Sequence, residues 1–87
     1  MEAPGFEKQE GPSYAYVQVA DHLESRIRSG EFAPGARLPN EREMAASYGV
    51  ALGTMRKAVA ILKDKGLLIV TPHKGVFVSR GEPDRPA

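Results

Sequence analysis

The chain contains no cysteine. Disulfide staples and thiolate metal sites are therefore excluded, which fits a reducing compartment such as the cytoplasm. No apolar run approaches the roughly 20 residues that a membrane-spanning helix needs. Met1 to Pro12 lack the apolar stretch of a signal peptide and carry Pro4, Gly5, Gly11 and Pro12 among charges. Residues 1–12 are expected to form a disordered leader. Histidine is scarce: His22 and His73 stand alone, outside any metal-ligand spacing such as His-Glu-x-x-His. Ser13, Ser25, Ser29, Ser47 and Ser79 have no nucleophile-elbow context. The glycines sit at helix stops and turns, not in a phosphate-cradling loop after a strand. Neither catalysis, nor a metal, nor a cofactor is expected. There are no internal repeats. With 87 residues the chain holds one small domain. Such a domain buries only about 60% of its unfolded surface and leaves little room for a catalytic cleft.

The overall charge of +1 is small, but its placement is uneven. Residues 1–50 carry five basic against eight acidic side chains, a net −3. Residues 51–80 carry Arg56, Lys57, Lys63, Lys65, Lys74 and Arg80 against Asp64 alone, a net +5. The tail, 81–87, carries −1. A short basic block of this kind suits a polyanion-binding surface, and suits a solvated helix face about equally well on charge alone.

Hydrophobic periodicity marks three helices. Tyr16, Val19, Ala20, Leu23 and Ile27 form one buried stripe within a first helix over about Ser13 to Ser29, stopped by Gly30. Pro34-Gly35 is a turn signal, and Arg37-Leu38 reads as a very short strand. Asn40 caps a second helix, with Glu43 placed to reach back to the Asn40 amide as a capping box. Met44, Ala45 and Tyr48 are its apolar side, and Gly49 ends it. A third helix runs from about Ala51 to Lys65. Met55, Val59 and Leu62, with Ala58 and Ile61, face inward, and Arg56, Lys57, Ala60 and Lys63 lie elsewhere. After Gly66 the period changes. Leu67 to Thr71 and Val76 to Ser79 read as a hairpin around Pro72-His73-Lys74-Gly75, with Phe77 in the core.

Two short helices joined by a glycine-containing turn make a helix-turn-helix pattern, and the basic-tipped hairpin is a wing. The expected fold is mainly α with a small β-hairpin, a winged helix-turn-helix over residues 13–80, followed by a linker or tail, 81–87. In such a fold the third helix enters the major groove of double-stranded DNA and its N-terminal residues meet base edges. Arg56 is the candidate for bidentate guanine recognition, worth about 1–3 kcal/mol of discrimination. Leu52 offers a surface for a thymine methyl or a sugar, and Gly53 lets the backbone approach closely. Thr54 suits a phosphate, and Lys57 and Lys74 suit charge contacts that position without specifying. Arg42 reaches the groove edge or backbone from the second helix. The other class of reading is a protein-interaction module with little DNA affinity, favoured by the weakly polar Ala51-Leu52-Gly53. RNA is disfavoured, because the wing lacks the exposed aromatics that stack unpaired bases.

With these elements placed, Tyr16 to Val78 resembles the N-terminal domain of the GntR family of bacterial regulators. The carrying residues are Tyr16, Gln18, Ile27, Ser29-Gly30, Pro34-Gly35, Leu38-Pro39, Glu41-Arg42-Glu43, Gly49-Val50, Thr54, Arg56, Gly66-Leu67, Gly75 and Phe77-Val78. The resemblance implies transcriptional regulation, as a repressor, by a homodimer on palindromic operators in the cytoplasm. It also implies DNA contacts at positions equivalent to Arg42, to Leu52 through Thr54, to Arg56, and to His73 through Gly75. Asn40 occupies a small polar position that touches phosphate in relatives.

The chain departs from the family pattern in three places. Ala51 stands where relatives place Ser or Thr, so the third helix lacks its usual side-chain cap, typically worth about 1 kcal/mol. Leu52 stands where relatives commonly carry Arg, so a relative's operator does not transfer. Pro72-His73 replaces the usual polar residue and glycine, implying a stiffer wing with an imidazole. The family's metabolite-binding second domain has no counterpart here, and no effector pocket is evident. Both an excised reading head and a natural single-domain member remain open.

Overall fold

The computed structural model describes residues 15–80. The expected leader, 1–12, the start of the expected first helix at Ser13 and the expected tail, 81–87, lie outside the described residues.

Helix α1 spans Ala15–Arg28 and buries Val19, Ala20 and Leu23, with Tyr16 and Ile27 half-buried at the ends of the same stripe. Helix α2 spans Glu41–Tyr48 and buries Met44, Ala45 and Tyr48. Its start is the expected one in part. Asn40 is extended, and its Oδ1 accepts from the Glu43 amide at 2.8 Å. The return bond from the Asn40 amide to the Glu43 carboxylate is not formed among the described residues, so the cap is one-sided. Gly49 ends α2 at φ 70°, and its N–H reaches the carbonyls of Ala45 and Ala46. A Cβ is unfavourable in this left-handed conformation, so glycine is the residue that lets the chain reverse here.

Helix α3 spans Leu52–Asp64 and buries Met55, Ala58, Val59 and Leu62. It is the hub of the fold, packing against α1, α2 and the first strand. Val19, Leu23, Tyr48, Met55 and Leu62 are the largest fully enclosed side chains. Strand β1 spans Leu68–Thr71 and β2 spans Gly75–Val78, paired antiparallel in the register Leu68 to Val78 and Thr71 to Gly75. Both strands sit close to expectation: β1 starts one residue after Leu67 and ends at Thr71 as expected, and β2 runs one residue earlier than expected. Gly75, expected in the turn, is the first residue of β2. The expected short strand at Arg37-Leu38 is a single bridge, Arg37 opposite Phe77, with bonds from Leu38 N to Val76 O and from Val78 N to Ala36 O, each 2.8 Å.

Strand alternation corrects one core assignment. Val76 and Val78 point inward with Leu38 and Leu68, which leaves Phe77 on the other face, half-buried. Ile69, paired with Phe77, lies on that outer face and is 50% exposed.

A polar cluster ties α1 to α2. The buried Tyr48 hydroxyl is hydrogen-bonded to His22 Nδ1 at 2.8 Å and accepts from Arg26 Nη1 at 3.3 Å. Arg26 also pairs with Glu31 at 2.7 Å and lies 4.8 Å from the Phe32 ring centroid. Burial pushes the Tyr48 phenol above its ordinary range, and the Arg26 hydrogen bond partly offsets this. The Arg26 bond holds the Glu31 carboxyl below its usual range.

Candidate nucleic-acid interface

The turn between α2 and α3 is three residues long, Gly49 to Ala51, so the end of α2 lies next to the start of α3. Ala51 is extended (φ −70°, ψ 155°), the geometry of an N-cap, yet supplies no side-chain bond. An alanine has nothing to accept with, so α3 opens with its first amides uncapped by a side chain.

Gly53, Arg56, Lys57 and Ala60 form the exposed stripe of α3 at helical spacing. Leu52 and Thr54 are half-buried at its start. Arg56 Nε donates to Glu41 Oε1 at 3.3 Å, while its side chain remains 63% exposed. Glu41 therefore holds the Arg56 guanidinium against the start of α2 without covering it. Arg42, the next residue on α2, is exposed and has no ion-pair partner among the described residues. Lys57 goes elsewhere: its Nζ lies 5.4 Å from the Tyr16 ring centroid, a cation–π contact against α1.

The wing tip is a tight turn closed by a bond from Lys74 N to Thr71 O at 3.0 Å. Pro72 is its second residue and His73 its third, with His73 at φ 64°. Proline followed by a positive φ is the signature of a type II turn, a position that favours glycine or asparagine. His73 and Lys74 are exposed on this turn.

Between the wing and the start of α2 lies an open groove of about 330 Å³. Its lining brings Asn40, His73, Lys74 and Gly75 together with Arg37 and Glu41. The expected residues thus fall into two adjoining sets: Leu52, Gly53, Thr54, Arg56 and Arg42 around the helix starts, and Asn40, His73, Lys74 and Gly75 around the groove. Arg37 was not singled out by sequence reasoning. Its alternation with buried Leu38 signals that it points outward, but nothing local signals that it meets Gly75.

Among the described residues, no group of three histidine, aspartate or glutamate side chains is placed to hold a metal ion, and no helix is long and apolar enough to cross a membrane.

Three helices in this order, a three-residue turn before the third, and an antiparallel hairpin packed behind it define a winged helix-turn-helix domain. Residues 15–78 match the sequence profile of the family described as bacterial regulatory proteins, gntR family. The chain belongs to that family. It is 36% identical over 72 residues to the transcriptional repressor NagR of Bacillus subtilis, covering 83% of this chain and 30% of that protein. It is 42% identical over 66 residues to the repressor NanR of Klebsiella aerogenes, covering 76% of this chain and 25% of that protein. The chain thus spans under a third of the length of these relatives. Among solved structures, the DNA-binding domain of AraR in complex with an operator superposes with a TM-score of 0.74 at 33% identity, over 82% of this chain and 92% of that one. YtrA of Sulfolobus acidocaldarius, a GntR-family transcription factor, also gives 0.74, at 35% identity, over 88% of this chain and 81% of that one.

Proposed function

We propose that this chain binds double-stranded DNA in a sequence-specific manner, as the reading head of a GntR-type transcriptional repressor. The observation that carries the reading is the exposed Arg56, held by Glu41, whose side chain also lines the groove shared with His73 and Lys74 of the wing turn, with exposed Arg42 beside Glu41 on α2. In this reading the stripe of α3 enters the major groove. Arg56 contacts a guanine through its free guanidinium edge, Leu52 packs on a thymine methyl or a sugar, and Gly53 admits the helix backbone close to the duplex. Thr54 and Asn40 bind phosphate, Arg42 meets the groove edge, and His73, Lys74 and Gly75 place the wing on the adjacent groove or backbone. Lys57 contributes charge from the flank facing α1. The domain extends over residues 13–80, between a leader, 1–12, and a linker or tail, 81–87.

Palindromic operators and a homodimer on DNA follow from the same reading, because a monomer on one half-site binds weakly and loses affinity steeply with salt. The role is regulatory and cytoplasmic, not enzymatic. Titration of random and selected duplexes with the chain, at two salt concentrations, tests it: a salt-sensitive shift at micromolar protein is expected, with tighter binding to the selected duplex. The second reading, a protein-interaction module, is favoured by the uncapped and weakly polar Ala51-Leu52-Gly53. A salt-insensitive absence of any shift supports that one instead.

A further inference from the structure

Arg37 lies outside every role assigned above, yet its backbone is held in place. The bridge to Phe77 fixes its backbone against β2. Leu38, the next residue, is buried, so Arg37 projects outward. Its guanidinium end lies against the backbone of Gly75: a Cβ built on that glycine meets Arg37 Nε at 2.8 Å, Nη2 at 3.4 Å and Cζ at 3.5 Å. Gly75 also sits at φ 118°, a conformation that side chains rarely adopt. The backbone angle disfavours a side chain at this position, and a Cβ there would push the end of Arg37 aside. The guanidinium is held in the groove with Asn40, His73 and Lys74. One carboxylate, that of Glu41, lines the same groove, but its Oε1 accepts from Arg56. Among the described residues, no carboxylate pairs with Arg37.

An arginine kept in an open groove without an anionic partner presents a planar fork of donors suited to a phosphodiester. We infer that Arg37 binds one backbone phosphate of the DNA strand that crosses from the helix starts to the wing. This rests on the DNA-binding reading and adds to it a contact that no motif carries. Because the contact is to phosphate, it positions the duplex and reads no base. Gly75 serves it indirectly, by giving the guanidinium a flat seat at the base of the wing.

The test measures the affinity of the full chain for a selected operator and for a random duplex across a salt series. Arg37→Gln removes the charge and leaves a shorter polar side chain, and Arg37→Lys keeps the charge on a side chain of similar reach. Lys65→Gln, at the far end of α3, is the matched charge control. Arg37→Gln is expected to weaken both duplexes by a similar factor, on the order of tenfold. It is also expected to lower the log–log salt slope by about 0.9, the value for one phosphate. Arg37→Lys and Lys65→Gln are expected to keep the parental slope. A parental slope in Arg37→Gln overturns the inference, as does a loss confined to the operator. If the parent chain itself shows no salt-sensitive binding, the DNA-binding reading fails first, and the two failures are distinct. Circular dichroism melts of each variant confirm that folded protein is compared.

Discussion

Glu41, the first residue of α2, holds Arg56, one turn into α3, through an ion pair of 3.3 Å between Oε1 and Nε. The pair bridges the two halves of the helix-turn-helix. Exposed ion pairs contribute only about 0–1 kcal/mol to stability, so its value lies in orientation more than in folding. Glu41→Gln should lower the melting temperature by no more than about 4–8 °C, in keeping with that small contribution. It should raise affinity for random duplexes, because a negative charge leaves the surface, and lower the ratio of specific to random binding, because Arg56 loses its guide. Fluorescence anisotropy on both duplexes reads the ratio directly.

Ala51 has cap geometry without a capping side chain. Ala51→Ser adds an oxygen where the first amides of α3 need an acceptor. It should stabilise the domain by about 1 kcal/mol in chemical denaturation. A neutral or negative change would mean that those amides are already satisfied by another group.

His73 adopts φ 64° in a turn position that favours glycine. Left-handed backbone costs a non-glycine residue about 1–2 kcal/mol. His73→Gly should therefore match or exceed the parent in thermal stability while removing the imidazole from the wing. Gly75→Ala should do the opposite. Its φ of 118° is unfavourable for any side chain, so a loss of about 1–3 kcal/mol is expected, and the new Cβ displaces the end of Arg37. A pair of melting curves separates the two predictions, whose signs differ.

Tyr48 is buried, and burial raises its phenol above the ordinary value of 10.0. The folded state therefore holds its proton more tightly than the unfolded chain does. The stabilisation this gives is complete below pH 10 and declines as pH climbs through the raised folded value. Tyr48→Phe should flatten that alkaline limb. At neutral pH it should cost about 1–3 kcal/mol, because Arg26 and His22 each lose a bond to the hydroxyl. Urea titrations at neutral and alkaline pH give both quantities.

Much of the fold is legible in the sequence because its signals are local. The stripes of α1 and α3 repeat at helical spacing, and Gly49 marks the break between α2 and α3. The missing cap at Ala51 is visible as a residue type. What the sequence conceals depends on chain segments meeting at a distance. Arg56 and Glu41 stand 15 residues apart, and their pairing depends on how α2 crosses α3. Lys57 belongs to the basic block by composition, yet it turns to Tyr16 because α1 packs against that flank of α3. Phe77 reads as core by residue type, but the register of β2 gives the inward places to Val76 and Val78. The seat of Arg37 on Gly75 depends on a single bridge, which no sequence pattern specifies. The left-handed His73 escapes notice because the sequence there shows Pro72, which signals a turn, and no glycine to mark the positive φ.

The claim that α3 reads bases is tested most directly by in vitro selection of bound duplexes from a random pool, run in parallel on the parent, Arg56→Ala and Lys74→Ala. The parent is expected to enrich a motif of two inverted half-sites, Arg56→Ala to lose preference at one base pair of each half-site, and Lys74→Ala to keep the same motif at uniformly weaker affinity. An unchanged motif in Arg56→Ala, or no enriched motif in the parent, would contradict that claim.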